Sequence, residues 1–549
     1  MDYKKLADEK YDDWESNLFK RMDDDRRLLQ LEKYQMRDLD GKVVTGVLHT
    51  TLNDPAMFGA WVIAELLAMK EIWQVNGDKL PDSTTSTIER FIKDRFADAN
   101  LILRNQGKPE TDAFMFDQLC YRGRASARCL TNEDGSLDIM PCDTRYLTYD
   151  TDNDGLKWWA PRYRRTKSMI EAKYPQCDLT KFPEGELIDV VDLWIREDKT
   201  VWNEIYFNDE LVRPQEYTLG KRIPAVLQVV PLGSFFGDAD NLKREGESIF
   251  WLARDIIPMI NEITSIMRSI AFRSYAGSYT WDNDGELPEG SPNEPGRTDG
   301  IDAGTKGWSL VQMQDLQNSA IHLLNVLDTR LQAATRSRIE EGTLTFTLSA
   351  VGIKELKKER DKLYIPRLTA GAYYKLGLQE MFTQQFIDLG MDIESNSGNK
   401  YSKSDIDKNY KVALEYSTVT PTDDIANWSL FTAIGGSLSQ ETKLRDIIKV
   451  DDVTKEMRLL NRETAKRSDP AIAFYDLAHE LIDIGDTSPL EEADRYYNQA
   501  VMMAQRGARM WKEMLATGQI PPSGEAAPMK QAGNILPPLM QGGQSGQKA

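Results

Sequence analysis

The sequence is poor in residues that hold metals. It has three histidines and four cysteines in 549 residues, and Cys120, Cys129, Cys142 and Cys177 form no CxxC pair. That spacing argues against a zinc finger or ribbon and fits thiols kept reduced rather than a disulfide framework. No apolar run approaches the roughly 18 residues that a membrane-spanning helix needs. The N-terminal stretch MDYKKLADEKYDDWE is too polar for a secretory leader. A soluble intracellular product, with no membrane partner, metal or cofactor, is expected. Positive charge is short as well: 68 Lys and Arg face 87 Asp and Glu, a net charge of −19. A protein that wraps nucleic acid neutralises phosphates with clustered bases, so tight DNA binding is not expected. The same sign suits a surface past which DNA slides, because like charges lower adhesion.

Catalytic signatures are missing too. There is no GxxxxGK[ST], GxGxxG or GxSxG, and no nucleophile with a base and its orienting group, so enzyme activity is not expected. DTDNDG (Asp150 to Gly155) opens like a calcium loop, but Pro161 stands where the bidentate Glu belongs, and a β-turn is the better reading. HELID (His479 to Asp483) begins like a zinc-protease helix, yet Asp483 replaces the second histidine. His479 therefore reads as an ordinary helix-face residue. Two basic clusters remain: Arg162, Arg164, Arg165 and Lys167, following a β-meander, and Lys354, Lys357, Lys358, Arg360 and Lys362. Each alone suits a solvated charged face, but the second stands beside a glycine-bounded break.

What is present alternates between helical and β texture, an α+β pattern. Residues 2–38 are charged with sparse apolar positions and predict a long surface helix. DPAMFGAWVIAELLAMKEIW follows Asn53 and Asp54 as caps, with Pro55 in the first turn. Helical pattern continues from about 85 to 125. Residues 127–235 predict a mostly β unit, with Asp-Gly turns at Asp134-Gly135 and Asp154-Gly155. From Arg244 the period is helical, with Ile256, Ile260, Ile263, Met267 and Ile270 as a seam; Pro258 predicts a kink or the true start. Leu316, Ala320, Leu324, Leu327, Leu331 and Ala334 repeat the seam as an antiparallel partner. Between them lies WDNDGELPEGSPNEPGRTDG, where Asp282, Asp284, Glu286, Glu289, Glu294 and Asp299 oppose only Arg297. GSYTW and KGWSLVQM can supply strands at its ends. EEGTLTFTLSAVG then breaks the helical pattern, a long helix kinked at Pro366 is expected over 353–390, NYKVALEYSTV reads as a late strand, and 439–515 is helical. The low-complexity tail is expected to be disordered.

The order of these parts resembles the portal proteins of tailed bacteriophages and related viruses. The likeness begins in IPAVLQVVPLGSFFGDADNLKREGESIFWLARDIIPMINEITSIMRS, where portals pass from a wing sheet into the first stem helix. It continues in SLSQETKLRDIIKVDDVTKEMRLLNRE, with Ser439 and Thr442 ahead of an acidic helix carrying Asp452 and Glu456. The resemblance spans about 130–460 and rests on the order of the parts. It implies an α+β ring subunit with a wing at 1–244, stem helices at 245–275 and 316–338, and a clip at 276–315. A tunnel loop at 339–352, a long helix with a returning strand to 438, crown-side helices at 439–515 and a tail from 516 complete it.

By the same resemblance the chain forms a ring, a dodecamer in the mature particle, at one capsid vertex of the virion after assembly in the host cytoplasm. The ring passes double-stranded DNA without sequence specificity and docks terminase, head-tail adaptors, capsid and scaffolding proteins. Glu340, Glu341, Thr343, Thr345, Thr347, Lys354, Lys357 and Lys358 become channel candidates, and the charged clip residues named above become docking candidates. The alternative is a structural or scaffolding coiled-coil protein of the virion that forms no conduit.

Overall fold

The computed structural model describes residues 2–276, 279–281, 308–310, 318–335, 364–417, 431–434, 438–448, 450, 453–468, 470–487 and 490–517, less 78–79, 175–178, 180, 184 and 199. The chain forms two compact units, 1–420 and 421–549.

The N-terminal helix opens where the Asp2 carboxylate accepts the Lys5 amide at 3.1 Å. It runs as α1 (Tyr3–Trp14), a π-helical turn at Glu15–Phe19 and α2 (Lys20–Leu29). It is neither a surface helix nor as long as its charge pattern predicts. Leu31 turns into left-handed backbone (φ 51°) and ends it. Trp14, Leu18, Phe19 and Met22 are buried together with Lys4, Arg21 and Asp25. Charged residues enter the interior here because each meets a partner.

α3 (Asp54–Leu67) carries Pro55 in its first turn as expected, but it stops before the end of the periodic stretch. Lys70–Asn76 is instead β1, paired antiparallel with β14 (Lys411–Ser417). The late strand thus has a partner that its own sequence could not reveal. α4 (Asp82–Asn105) and α5 (Thr111–Tyr121) follow.

The β unit is two sheets. β2 (Arg124–Thr131), β3 (Leu137–Cys142) and β9 (Ala225–Val229) form one, in the order β3-β2-β9. β4 (Leu147–Asp152), β5 (Gly155–Thr166), β6 (Leu187–Glu197), β7 (Thr200–Phe207) and β8 (Glu210–Tyr217) form a five-stranded antiparallel meander. A short helix, α6 (Lys167–Lys173), follows β5, and a 3-10 turn at Thr144–Tyr146 precedes β4. Both Asp-Gly pairs lie at strand junctions: Gly135 between β2 and β3, Gly155 at the start of β5. Cys120, Cys129 and Cys142 are buried thiols; Cys177 lies outside the described residues.

α7 begins at Ile256 and runs to Ala276, so Pro258 marks a first turn and 245–255 is not helical. α8 (Asn318–Ala334) packs against it. α9 (Ile365–Leu389) is the central helix of the first unit, burying Tyr374, Leu378, Phe382 and Phe386 against α4, α5 and β2. Pro366 opens α9 rather than kinking it, and 353–363 lie outside the described residues. Gln385 of α9 bridges β2, accepting the Thr131 amide at 2.7 Å and donating to the Cys129 carbonyl at 2.8 Å. Gly390 ends the helix in the left-handed region, φ 68°.

The second unit contains α10 (Val453–Ser468), α11 (Pro470–Thr487) and α12 (Leu490–Thr517). A Cβ on Gly507 would meet the Ala471 carbonyl oxygen at 3.2 Å, which marks where α11 and α12 cross closely. α12 continues to Thr517, past the expected start of the tail, and 518–549 lie outside the described residues. No helix among the described residues is long and apolar enough to cross a membrane.

Candidate functional site: a two-helix arm and its root

The arm is built from α7, α8 and two short strands between them. Ile257 and Ile260 of α7 are buried with Leu331 of α8, and Leu324, Leu327 and Ala334 pack beside them. The start of one helix meets the end of the other, so the pair is antiparallel. Beyond α7, β10 (Tyr279–Trp281) pairs antiparallel with β11 (Trp308–Leu310), with Trp281 opposite Trp308. These are the strands expected from GSYTW and KGWSLVQM. They bring residues 281 and 308 into cross-strand register and leave 282–307 as the connection between them.

The docking candidates Asp282, Asp284, Glu286, Glu289, Glu294, Arg297 and Asp299 lie outside the described residues. So do the channel candidates Glu340, Glu341, Thr343, Thr345, Thr347, Lys354, Lys357 and Lys358.

The apolar seam is shorter than its period predicts. Ile263, Met267 and Ile270 are only half-buried, and the buried face of α7 past Ile260 is polar: Asn261, Ser265 and Ser269. Their purpose is to hold an extended segment. The amides of Leu52, Thr50 and Leu48 donate to Asn261 Oδ1, Ser265 Oγ and Ser269 Oγ at 3.0, 2.9 and 2.8 Å. Side chains four apart stand one above another on a helix, and alternate amides of an extended chain face the same way, so the two periods mesh. A polar stripe at 261, 265 and 269 is visible in the sequence once the apolar residues are set aside.

The root of the arm is a buried ionic cluster. Arg254 donates to both oxygens of Asp25 at 2.8 and 3.0 Å and to Glu247 at 2.7 Å. Arg21, from the same helix as Asp25, donates to the carbonyls of Lys243, Glu245, Arg122 and Gly246 at 2.8–3.0 Å. Burial lowers the Arg21 pKa to about 10, partly offset by Glu247. Burial pushes the Asp25 carboxyl up against the opposing pull of Arg254. Arg254 has its pKa raised, because Asp25 and Glu247 outweigh its desolvation. The backbone crosses itself beside this cluster. A Cβ on Gly123 would lie 1.7 Å from the Gly246 carbonyl oxygen, and both glycines have positive φ. The contacts of Arg21 with Gly246 and of Asp25 with Arg254 are not legible in sequence, since the partners stand more than 200 residues apart.

A second buried cation sits in the core. Lys375 of α9 contacts Glu71 and Asp112 at 2.5 and 2.8 Å and lies 4.7 Å from the Phe96 ring centroid. Burial opposes its charge, yet the two carboxylates outweigh burial and leave its pKa above the ordinary lysine value. A lysine held this firmly protonated is a lock between α9, β1 and α5, not a nucleophile.

The weaker sequence candidates have ordinary roles. Arg162, Arg164, Arg165 and Lys167 lie largely in β5, inside the meander rather than after it. Arg162 pairs with Asp8, Arg164 with Asp189, and Lys167 approaches Glu171. The DTDNDG segment is the β4–β5 junction, and Asp152 there accepts from the Asp154 amide and from Arg196. His479 is exposed on α11. Ser439 caps a short turn, its hydroxyl accepting the Thr442 amide at 3.1 Å; Glu456 falls in the first turn of α10, and Asp452 lies outside the described residues. Among the described residues no group of three or more His, Cys, Asp or Glu is placed to hold a metal.

No protein-family model matches the chain, and no curated protein matches it.

Proposed function

We propose that the chain is a subunit of a viral portal ring, the conduit for genome entry and exit at one capsid vertex. One observation carries the reading. An antiparallel helix pair, α7 and α8, ends in a two-stranded ribbon and stands in the sequence between a β unit and a long core helix. That is the order of wing, stem, clip, stem and long helix in a portal subunit. The ribbon draws together the ends of a stretch with seven acids and two bases, residues 282–307. Repeated around a ring, it becomes an acidic collar where terminase, and later a head-tail adaptor, would dock.

The arm also supports assembly. Ile321, Leu323 and Val326 of α8 and Phe272 of α7 are exposed in the single chain. A two-helix arm has one internal seam, and a closed ring supplies each helix with a second neighbour. The scaffolding alternative accounts for the helices but not for eight strands in two sheets under them.

Negative-stain microscopy of the purified protein tests the reading. Rings with a central hole, twelvefold in the mature particle, are expected. Monomers or fibres would overturn it. Deleting 284–298 should spare the ring and abolish packaging; packaging that survives the deletion would remove the docking role.

A further inference from the structure

In the second unit two aromatic rings converge and neither is fully covered. Tyr475 of α11 and Trp511 of α12 are 38% and 46% exposed. Side chains on a helix lean toward its N-terminus. The two helices are antiparallel, with Ala471 near the start of α11 beside Gly507 near the end of α12. Tyr475 therefore leans toward Ala471 and Trp511 toward Gly507, so both rings lean toward one crossing. The tyrosine ring reaches it: a Cβ on Gly507 would lie 3.2 Å from Tyr475 Cε2. Trp511 stands one turn beyond Gly507 on the same face of α12. The neighbours on that face, Ala504, Gly507 and Ala508, are small and uncharged, while the helical period sends Arg506, Arg509 and Glu513 to the other side.

The chain that follows α12 carries a segment of matching chemistry. Residues 518–549 contain six Ile, Leu or Met residues, and four of them stand together as Ile535, Leu536, Leu539 and Met540 around Pro537-Pro538. The tail has no aromatic residue, and its charges, Glu525, Lys530 and Lys548, all lie outside 531–547. Paired prolines hold an extended polyproline conformation, and such segments dock on exposed aromatic rings at a low cost in entropy. No charge has to be stripped of water on either side. The reach is also sufficient. Eighteen residues separate Thr517 from Ile535, and a flexible chain of that length spans roughly 23 Å. Trp511 lies only about 9 Å back along the helix from Thr517.

We infer that the 535–540 segment docks across Tyr475 and Trp511 of its own chain, folding the tail back on the end of α12. The inference stands on the second unit alone and does not depend on a ring. Leu536 and Leu539 supply the apolar contacts and the two prolines the stiffness. The intervening residues, rich in Gly, Ala and Ser, form the flexible return.

Hydroxyl-radical footprinting of the full chain, read by mass spectrometry at Trp511, tests the docking. Leu536→Ser combined with Leu539→Ser should raise the labelling of Trp511 severalfold and leave the circular dichroism spectrum unchanged. In the reverse experiment, Trp511→Ser should speed hydrogen exchange at the Leu536 and Leu539 amides roughly tenfold, toward the rate at Gln541 and beyond. Docking within one chain is independent of concentration. Equal labelling of Trp511 in the parent and the tail variant overturns the inference, whether the ring is open in both or covered in both by a second copy. Protection of Trp511 that falls away on dilution shows a tail from another chain and overturns docking within one. Slow exchange at Leu536 that survives Trp511→Ser puts the seat of the tail elsewhere and overturns it as well.

Discussion

Arg254 grips Asp25 through two parallel hydrogen bonds of 2.8 and 3.0 Å, and Asp25 has no exposed surface. This pair ties the N-terminal helix to the chain just before α7. Arg254→Met removes the cation that donates to Asp25, while Glu247 keeps Arg21 at 3.7 Å. Breaking a buried pair from one side costs about 3–5 kcal/mol. Urea unfolding should show a loss of that order, and Asp25→Asn in the same background should recover part of it. A loss under about 1 kcal/mol would mean that the cluster is not what holds the root.

Ser265→Ala and Ser269→Ala leave the amides of Thr50 and Leu48 without acceptors. An unsatisfied buried donor costs about 1–3 kcal/mol, and here the opening is local because 48–52 lies outside the main core. Hydrogen exchange should quicken at Leu48 and Thr50 and stay unchanged in α9. Equal acceleration in both places would show that the segment opens only with the whole unit.

Trp281 and Trp308 are register partners across β10 and β11. Opposed residues of an antiparallel pair have Cα atoms about 4.5 or 5.5 Å apart, inside the range a disulfide accepts. Trp281→Cys with Trp308→Cys should oxidise within one chain. Failure to form that bridge would contradict the register.

Asp94 accepts hydrogen bonds from Tyr401, Asn399, Ser397 and Ser395 at 2.6–3.1 Å, fastening the β12–β13 hairpin (Ile393–Glu394 and Lys400–Tyr401) to α4. Burial alone would raise its pKa, but the four bonds outweigh burial and hold it below the ordinary carboxylate value. A depressed folded pKa gives stability that is fully present above the unfolded value, about 3.9, and is lost as pH falls through the folded one. Melting temperatures of the parent and Asp94→Asn should therefore differ most near pH 6–7 and converge below about pH 4. A gap that persists at low pH would exclude the charge as its source.

The parts that repeat locally were legible from sequence. The Asp-Gly junctions, the strands flanking the acidic stretch, and the first-turn prolines Pro55 and Pro258 all follow from rules that act over a few residues. β1 was not, because KEIWQVN continues a helical period and becomes a strand only by meeting β14, more than 300 residues later. The N-terminal helix departs from its charge pattern for a related reason. Lys4, Arg21 and Asp25 count as surface residues until their partners are known, and those partners come from distant segments. Pro366 stands in the first turn of α9, and the stretch that would lie before a kink, 353–363, is outside the described residues. The proposed acidic collar and channel residues rest on the order of the parts alone.

The root cluster has a consequence for synthesis. Arg21 and Asp25 leave the ribosome early, yet Gly246 and Arg254 follow 225 and 229 residues later. At about 5–20 residues per second, that is a wait of roughly 10–45 s. Throughout it, Leu18, Phe19 and Met22 have no completed seat. The first helix made is among the last to be fastened, so the N-terminal segment waits for most of the β unit before its own contacts are complete.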